Sequence, residues 1–204
     1  MKTRKSIETG LSDLSKIDPR IKLLWNNVGT PLARARKQGY KELLRIIIGQ
    51  QLSTQAAASI WKRLEQADVF LDRSNIFLRS DEELRGFGLS RQKIKYCKSL
   101  IDSINKGTLR LDCLDQLSDE EIINILVQQK GIGRWSAEVY LLFAIGRADI
   151  MPADDLALLK SAGYHFGDGK RWTSEKLRNE AERWRPWRSA VARLLWHAYN
   201  VKVI

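Results

Sequence analysis

Gln129-Lys130-Gly131-Ile132-Gly133-Arg134-Trp135-Ser136-Ala137 joins two helical patterns through a tight turn. Upstream, Ser118-Asp119-Glu120-Glu121 has the form of a capping box, with Ile122, Ile125 and Leu126 following at helical spacing. Downstream, Trp135, Val139, Leu142 and Phe143 fall on one face of a second helix starting near Arg134. Glycines in such a turn permit positive φ and close approach of another backbone. The amides that open the second helix aim partial positive charge outward, so a phosphate is the natural guest. An ordinary αα-hairpin, with glycines that only permit the turn, is the alternative reading of the same residues.

Helical punctuation recurs outward from this hairpin, and strand punctuation is nearly absent. Ser80-Asp81-Glu82-Glu83 repeats the capping box, and Ile94, Cys97, Ile101 and Ile104 precede Gly107, a C′ candidate. Leu177, Ala181 and Trp184 form a further stripe. Pro186 stands where a last helix could begin, with Trp187, Ala190, Val191, Leu194, Leu195 and Ala198 on one face. The expected class is all-α, with about eight to ten helices. Gly86-Phe87-Gly88 faintly echoes Gly131-Ile132-Gly133. With four prolines and no long linker, two lobes would share a close interface, and the polar first ten residues are expected to be mobile.

The 204 residues carry 35 Lys+Arg against 24 Asp+Glu, a formal charge of +11 that points to a polyanionic partner. Two cysteines, Cys97 and Cys113, are too few for a disulfide framework, a four-cysteine zinc site or an iron–sulfur cluster held by this chain alone. The basic start meets Glu8, Gly10 and Asp13 instead of an apolar leader, and no apolar run approaches the roughly 20 residues of a bilayer span. A cytoplasmic protein is expected, nucleoid-associated in a prokaryote or nuclear in a eukaryote, with no membrane partner. His165 and His197 read as structural.

The hairpin, followed some twenty residues on by Asp154-Asp155-Leu156, resembles the helix-hairpin-helix, Gly/Pro-rich loop and aspartate of the DNA glycosylase superfamily. Within it the sequence is most similar to the 3-methyladenine DNA glycosylase II family of alkylation repair. Ile48-Gly49-Gln50-Gln51-Leu52-Ser53 with Ala56-Ala57-Ala58, and Glu182-Arg183-Trp184-Arg185-Pro186-Trp187-Arg188-Ser189, match that family in the same order. The resemblance covers roughly residues 40 to 200, without the extra N-terminal β-domain of some bacterial members. It implies a two-lobed helix-hairpin-helix glycosylase fold with the active-site cleft between the lobes. The segments would be 1–40, packing with the C-terminal lobe; 41–117, a central lobe; 118–160, hairpin and catalytic loop; and 161–204, helices completing the second lobe.

The resemblance also assigns roles. Asp155 is the catalytic carboxylate that stabilises oxocarbenium character as an N-glycosidic bond breaks, which needs no metal. Read without the family, Asp154 or Asp155 is a helix N-cap; with it, Asp154 is the cap or support. Trp135 stands where bifunctional members carry the attacking lysine, and neither Lys130 nor Lys160 replaces it, so a monofunctional enzyme without strand cutting is implied. Trp135, Trp196 and Tyr140 would form an aromatic pocket for a flipped, cationic alkylated base. Trp184 and Trp187 read as mainly structural. Gln51 or Leu52 would be the wedge that fills the vacated stack, although related enzymes carry an apolar residue at the place of Gln51.

Phosphates would meet the amides of Gly131, Gly133 and Trp135 and the side chains of Ser136, Arg134 and Lys130. The carbonyls of Gln129 and Ile132 would hold a structural Na+ or K+ when DNA is bound. Eight cations against three glutamates over residues 170–193 could line the DNA face. The implied partner is double-stranded DNA containing damaged bases, recognised by a monomer in base-excision repair. A non-catalytic helix-hairpin-helix module, or a glycosylase for other lesions, is the alternative.

Overall fold

The computed structural model describes residues 1–201, in which eleven α-helices and no strands occur. The chain divides into two compact units, one formed by Met1–Arg36 with the segment from Leu141 onward, the other by Lys37–Tyr140.

The first unit opens with α1 (Arg4–Ile17) and α2 (Pro19–Val28). The expected mobile N-terminus is therefore a helix. A capping box between Thr3 and Ser6 starts it, and Ile7, Leu11 and Leu14 form a buried stripe inside an otherwise polar run. Asp18 caps α2, whose first residue is Pro19.

The second unit contains α3 (Tyr40–Gly49), α4 (Thr54–Gln66), α5 (Asp81–Gly86), α6 (Arg91–Asn105), α7 (Asp119–Val127) and α8 (Arg134–Tyr140). The apolar helix α3 lies at its centre and packs against α4, α6 and α8, with Leu43, Leu44 and Ile47 fully buried. Both capping boxes read from the sequence form, at Ser80 and at Ser118, and Gly107 follows α6 with φ +73°.

The chain returns to the first unit with α9 (Leu156–Phe166), α10 (Ser174–Ala181) and α11 (Arg188–Asn200). Helix α11 packs against α1, α2 and α9. It starts two residues beyond Pro186, which follows a cis peptide bond, so Pro186 does not open the helix as expected. The division between units falls inside 118–160: the hairpin belongs to one unit and the Asp155 loop to the other. Helix α8 ends at Tyr140, and Leu141–Ile145 form a π-helical turn, so Leu142 and Phe143 do not continue the hairpin face of Trp135 and Val139.

Trp184 is fully buried, and its indole N–H donates to Asp18 at 3.0 Å. His197 Nε2 lies 2.9 Å from Val28 O, a structural contact. Burial pushes the Asp18 pKa up, but hydrogen bonds from Arg20 and Trp184, with the Arg20 charge, more than reverse this and hold it at about 2 against 3.8. A carboxylate depressed in this way stabilises the fold above the unfolded value and loses that contribution as pH falls toward 2. The melting temperature of Asp18→Asn, followed from pH 6 to about pH 2, is expected to start lower than wild type and to converge with it at the acid end.

Candidate active site and DNA-binding hairpin

In the Lys37–Tyr140 unit, α7 and α8 form the hairpin read from the sequence. Gly131 has φ +84°, and a Cβ there would lie 2.2 Å from the Tyr96 ring. Gly133 is different: its φ is not left-handed, and a Cβ on it would meet nothing within 4 Å. Ala137 N–H to Gly133 O, at 3.1 Å, is the bond that begins the ladder of α8.

Two residues expected to face phosphate are otherwise engaged. Ser136 is 2% exposed, and its hydroxyl accepts from Gln50 Nε2 at 2.9 Å. Arg134 is bound by Glu120 at 2.6 Å and by the buried Glu138 at 3.0 Å, so it braces the hairpin internally. Its charge was legible in the sequence, and so was the i,i+4 spacing to Glu138, but the partner Glu120 across the hairpin has no such spacing. Lys130 is exposed at the turn, and Trp135 is half-buried. Tyr140 is fully buried, and its hydroxyl accepts from Gly39 N–H at 3.0 Å. Burial pushes this phenol up to about 12. It is a core residue, not the stacking surface expected for a flipped base.

The loop between α3 and α4 presents Gln51 and Leu52. Gln51 is exposed and held in the left-handed region at φ +57°, and Leu52 is 38% exposed. The preceding Gln50, to which the sequence reading gave no role, ties this loop to the hairpin. Its Nε2 donates to Gly131 O at 2.8 Å as well as to Ser136. From α6, Lys93 Nζ donates to Ile48 O at 2.7 Å and Gln50 O at 2.9 Å, closing the C-terminal end of α3. The available signal was a polar side chain placed just past the apolar run Ile46-Ile47-Ile48 and its terminal Gly49. Gln50→Leu leaves both acceptors without this donor, and a stability loss of about 1–3 kcal/mol is expected in chemical denaturation.

In the other unit, Asp155 is the N-cap of α9. Its Oδ1 accepts from Ala157 N–H at 2.9 Å, Leu158 N–H at 3.0 Å and Trp196 Nε1–H at 3.0 Å. Three donors on one oxygen fix the carboxylate's orientation at the positive end of the helix dipole. The cap and the candidate catalytic group are thus one residue. Asp154 is not the cap; it is exposed and pairs with Arg178 at 2.5 Å. Trp196, expected as a wall of the base pocket, is half-buried, its N–H engaged by Asp155 and its ring 5.5 Å from that of Phe143.

The loop leading to Asp155 is stitched to the start of α11. Ser189 N–H donates to Ala148 O at 3.0 Å, and Ile150 N–H donates to Ser189 Oγ at 3.0 Å. Asp149 receives Arg185 at 2.7 Å and Arg188 at 2.8 Å, and both arginines also bind Glu182. Arg183 pairs with Glu180, and Arg193 is 3% exposed. Most arginines of 170–193 therefore organise their own unit and are not held open for DNA.

Comparison with known proteins gives concordant results. Residues 44–186 match the profile described as HhH-GPD superfamily base excision DNA repair protein. The chain is 33% identical to DNA-3-methyladenine glycosylase 1 of Schizosaccharomyces pombe, over 93% of this chain and 85% of the relative. It is 30% identical to the alkylbase DNA glycosidase-like protein mag2 of the same organism, over 90% and 89%. The solved structure of the S. pombe 3-methyladenine DNA glycosylase Mag1 in complex with abasic DNA superposes with a TM-score of 0.88. That match has 31% identity and covers 95% of this chain and 98% of the other. With the hairpin, the aspartate loop and the α3–α4 loop all inside this similarity, the chain belongs to the HhH-GPD superfamily of base excision DNA repair proteins.

Proposed function

We propose that this protein is a monofunctional glycosylase that hydrolyses the N-glycosidic bond of alkylated bases in double-stranded DNA. The observation that carries the reading is the fixed carboxylate of Asp155 on a chain similar to 3-methyladenine glycosylases. As the bond from C1′ to the base nitrogen breaks, its electron pair leaves with the base and the sugar gains positive charge. An oriented anion stabilises that charge without any reorganisation of its own. Water then forms the C1′–O bond and releases a proton, giving free base and an abasic site. A methylated purine that already carries positive charge leaves as a neutral base, which makes it the favoured substrate class.

DNA engagement rests on the hairpin. Gly133 has no need of glycine within the protein, neither for φ nor for space, which fits a turn approached from outside by a phosphate backbone. Lys130 adds charge there. The turn also suits a monovalent cation held by the carbonyls of Gln129 and Ile132. Gln129 O accepts Ile132 N–H at 3.0 Å and keeps a second lone pair for the ion, which would lie against a DNA phosphate. Gln51 and Leu52, both exposed on a loop anchored to the hairpin, are the wedge candidates. Trp135 cannot form a Schiff base, so no strand cutting accompanies base release.

The test is incubation of the wild-type protein with methylated duplex DNA. Release of methylated bases, with strands intact until alkali is added, is expected. Salt-sensitive binding without release of any base would instead identify a binding module. A covalent complex trapped by borohydride would overturn the monofunctional mechanism.

A further inference from the structure

Arg193 is a buried cation, 3% exposed on α11, whose partners among the described residues are backbone carbonyls and not a carboxylate. An apolar side chain would be the inexpensive choice here, as at its neighbours Leu194 and Leu195. Burial, reinforced by the charge of Arg34, lowers its pKa to about 10. Its Nε has no hydrogen-bond partner.

What the guanidinium does engage is backbone from three separate segments. It donates to Ala33 O, to Met1 O at 3.2 Å and to Leu142 O at 3.0 Å. Leu142 lies in the π-helical turn Leu141–Ile145, so Arg193 fastens that turn to α11. The guanidinium carbon also lies 4.6 Å from the centroid of the Phe143 ring. Phe143 in turn lies 5.5 Å from Trp196 at an interplanar angle of 31°, and Trp196 donates to Asp155. Arg193 and Trp196 are three positions apart on α11, so the turn bearing Phe143 is held against one helical face.

We propose that Arg193 is a positioning residue for base release, acting through Phe143 and Trp196 on Asp155. The fork fixes the π-helical turn, the turn fixes the Phe143 ring, and the ring limits the tilt of the indole that clamps the carboxylate. This rests on the reading of Asp155 as the catalytic group, while the placement of Trp196 can be measured without any activity.

The test follows the indole N–H resonances of 15N-tryptophan-labelled protein in Arg193→Met and in Phe143→Leu. The second variant removes the ring contact but leaves the guanidinium its carbonyls, so it decides the matter if the first does not fold. Trp184, whose N–H donates to Asp18 in the same unit, is the internal reference. Hydrogen exchange at Trp196 is expected to accelerate about tenfold or more while Trp184 is unchanged. Single-turnover base release should fall about tenfold, with affinity for abasic duplex DNA within about twofold of wild type. Unchanged exchange at Trp196, or equal acceleration at Trp196 and Trp184, would overturn the proposal. Failure of the Asp155 reading shows separately, as base release that survives Asp155→Asn.

Discussion

Asp155→Asn is expected to slow single-turnover base release by about a hundred- to a thousandfold while leaving DNA binding and the fold intact. Most carboxylates cannot be tested so cleanly, because removing the charge also removes a structural bond. Here the oxygen that accepts Ala157, Leu158 and Trp196 can be retained as an amide oxygen. Asn is also as good an N-cap as Asp, so α9 keeps its start and stability should change by less than about 1 kcal/mol. The negative charge is lost while these three donors keep an oxygen to bond. The measurement is base release from methylated duplex DNA, with melting temperature and affinity for abasic DNA taken on the same preparation. Base release at the wild-type rate would remove Asp155 from the chemistry. Asp154→Asn is the control: it breaks an exposed pair with Arg178, worth about 0–1 kcal/mol, and should leave the rate unchanged.

The two glycines of the hairpin should respond in opposite ways to the same substitution. Gly131→Ala places a methyl group 2.2 Å from the Tyr96 ring at a residue whose φ is +84°. Either the ring or the turn must move, and a loss of about 2–4 kcal/mol is expected in denaturant unfolding. Gly133→Ala meets open space with ordinary φ, so stability should stay within about 1 kcal/mol of wild type. If a phosphate backbone comes up to this turn, the added methyl group stands in its way, and DNA affinity should fall about tenfold. Melting curves and DNA titrations at two salt concentrations separate the variants. Loss of affinity in Gly131→Ala alone would mean that the hairpin matters only as scaffold.

Local signals in this sequence were legible wherever one residue type performs one local task. The capping boxes at Ser80 and Ser118, the C′ glycine at Gly107 and the hairpin turn all form where spacing placed them. The helix at Arg4–Ile17 escaped because three apolar residues in a polar run are a weak stripe, and only packing against α2 and α11 gives it a reason to persist. At the site, family motifs located Asp155 and the hairpin, but long-range partners decide what each side chain can do. Ser136 and Arg134 look like phosphate contacts until Gln50, Glu120 and Glu138 are seen to engage them. Tyr140 looks like a pocket wall until its hydroxyl is found on Gly39 N–H. Arg134 and Glu138 stand at the i,i+4 spacing of one helix and could be paired from the sequence, but the partners Gln50, Glu120 and Gly39 are 14 to 101 positions away and no periodicity could reveal them.

The division of the chain also sets an order of assembly. Lys37–Tyr140 is continuous, so its contacts can all form as soon as that stretch leaves the ribosome. The unit that holds Asp155 is split around it, and bonds such as Trp184 to Asp18 join residues 166 positions apart. Helices α1 and α2 are made first yet can bury their apolar faces on α11 only at the end of synthesis. During synthesis the hairpin scaffold can therefore exist before the carboxylate has a place to stand.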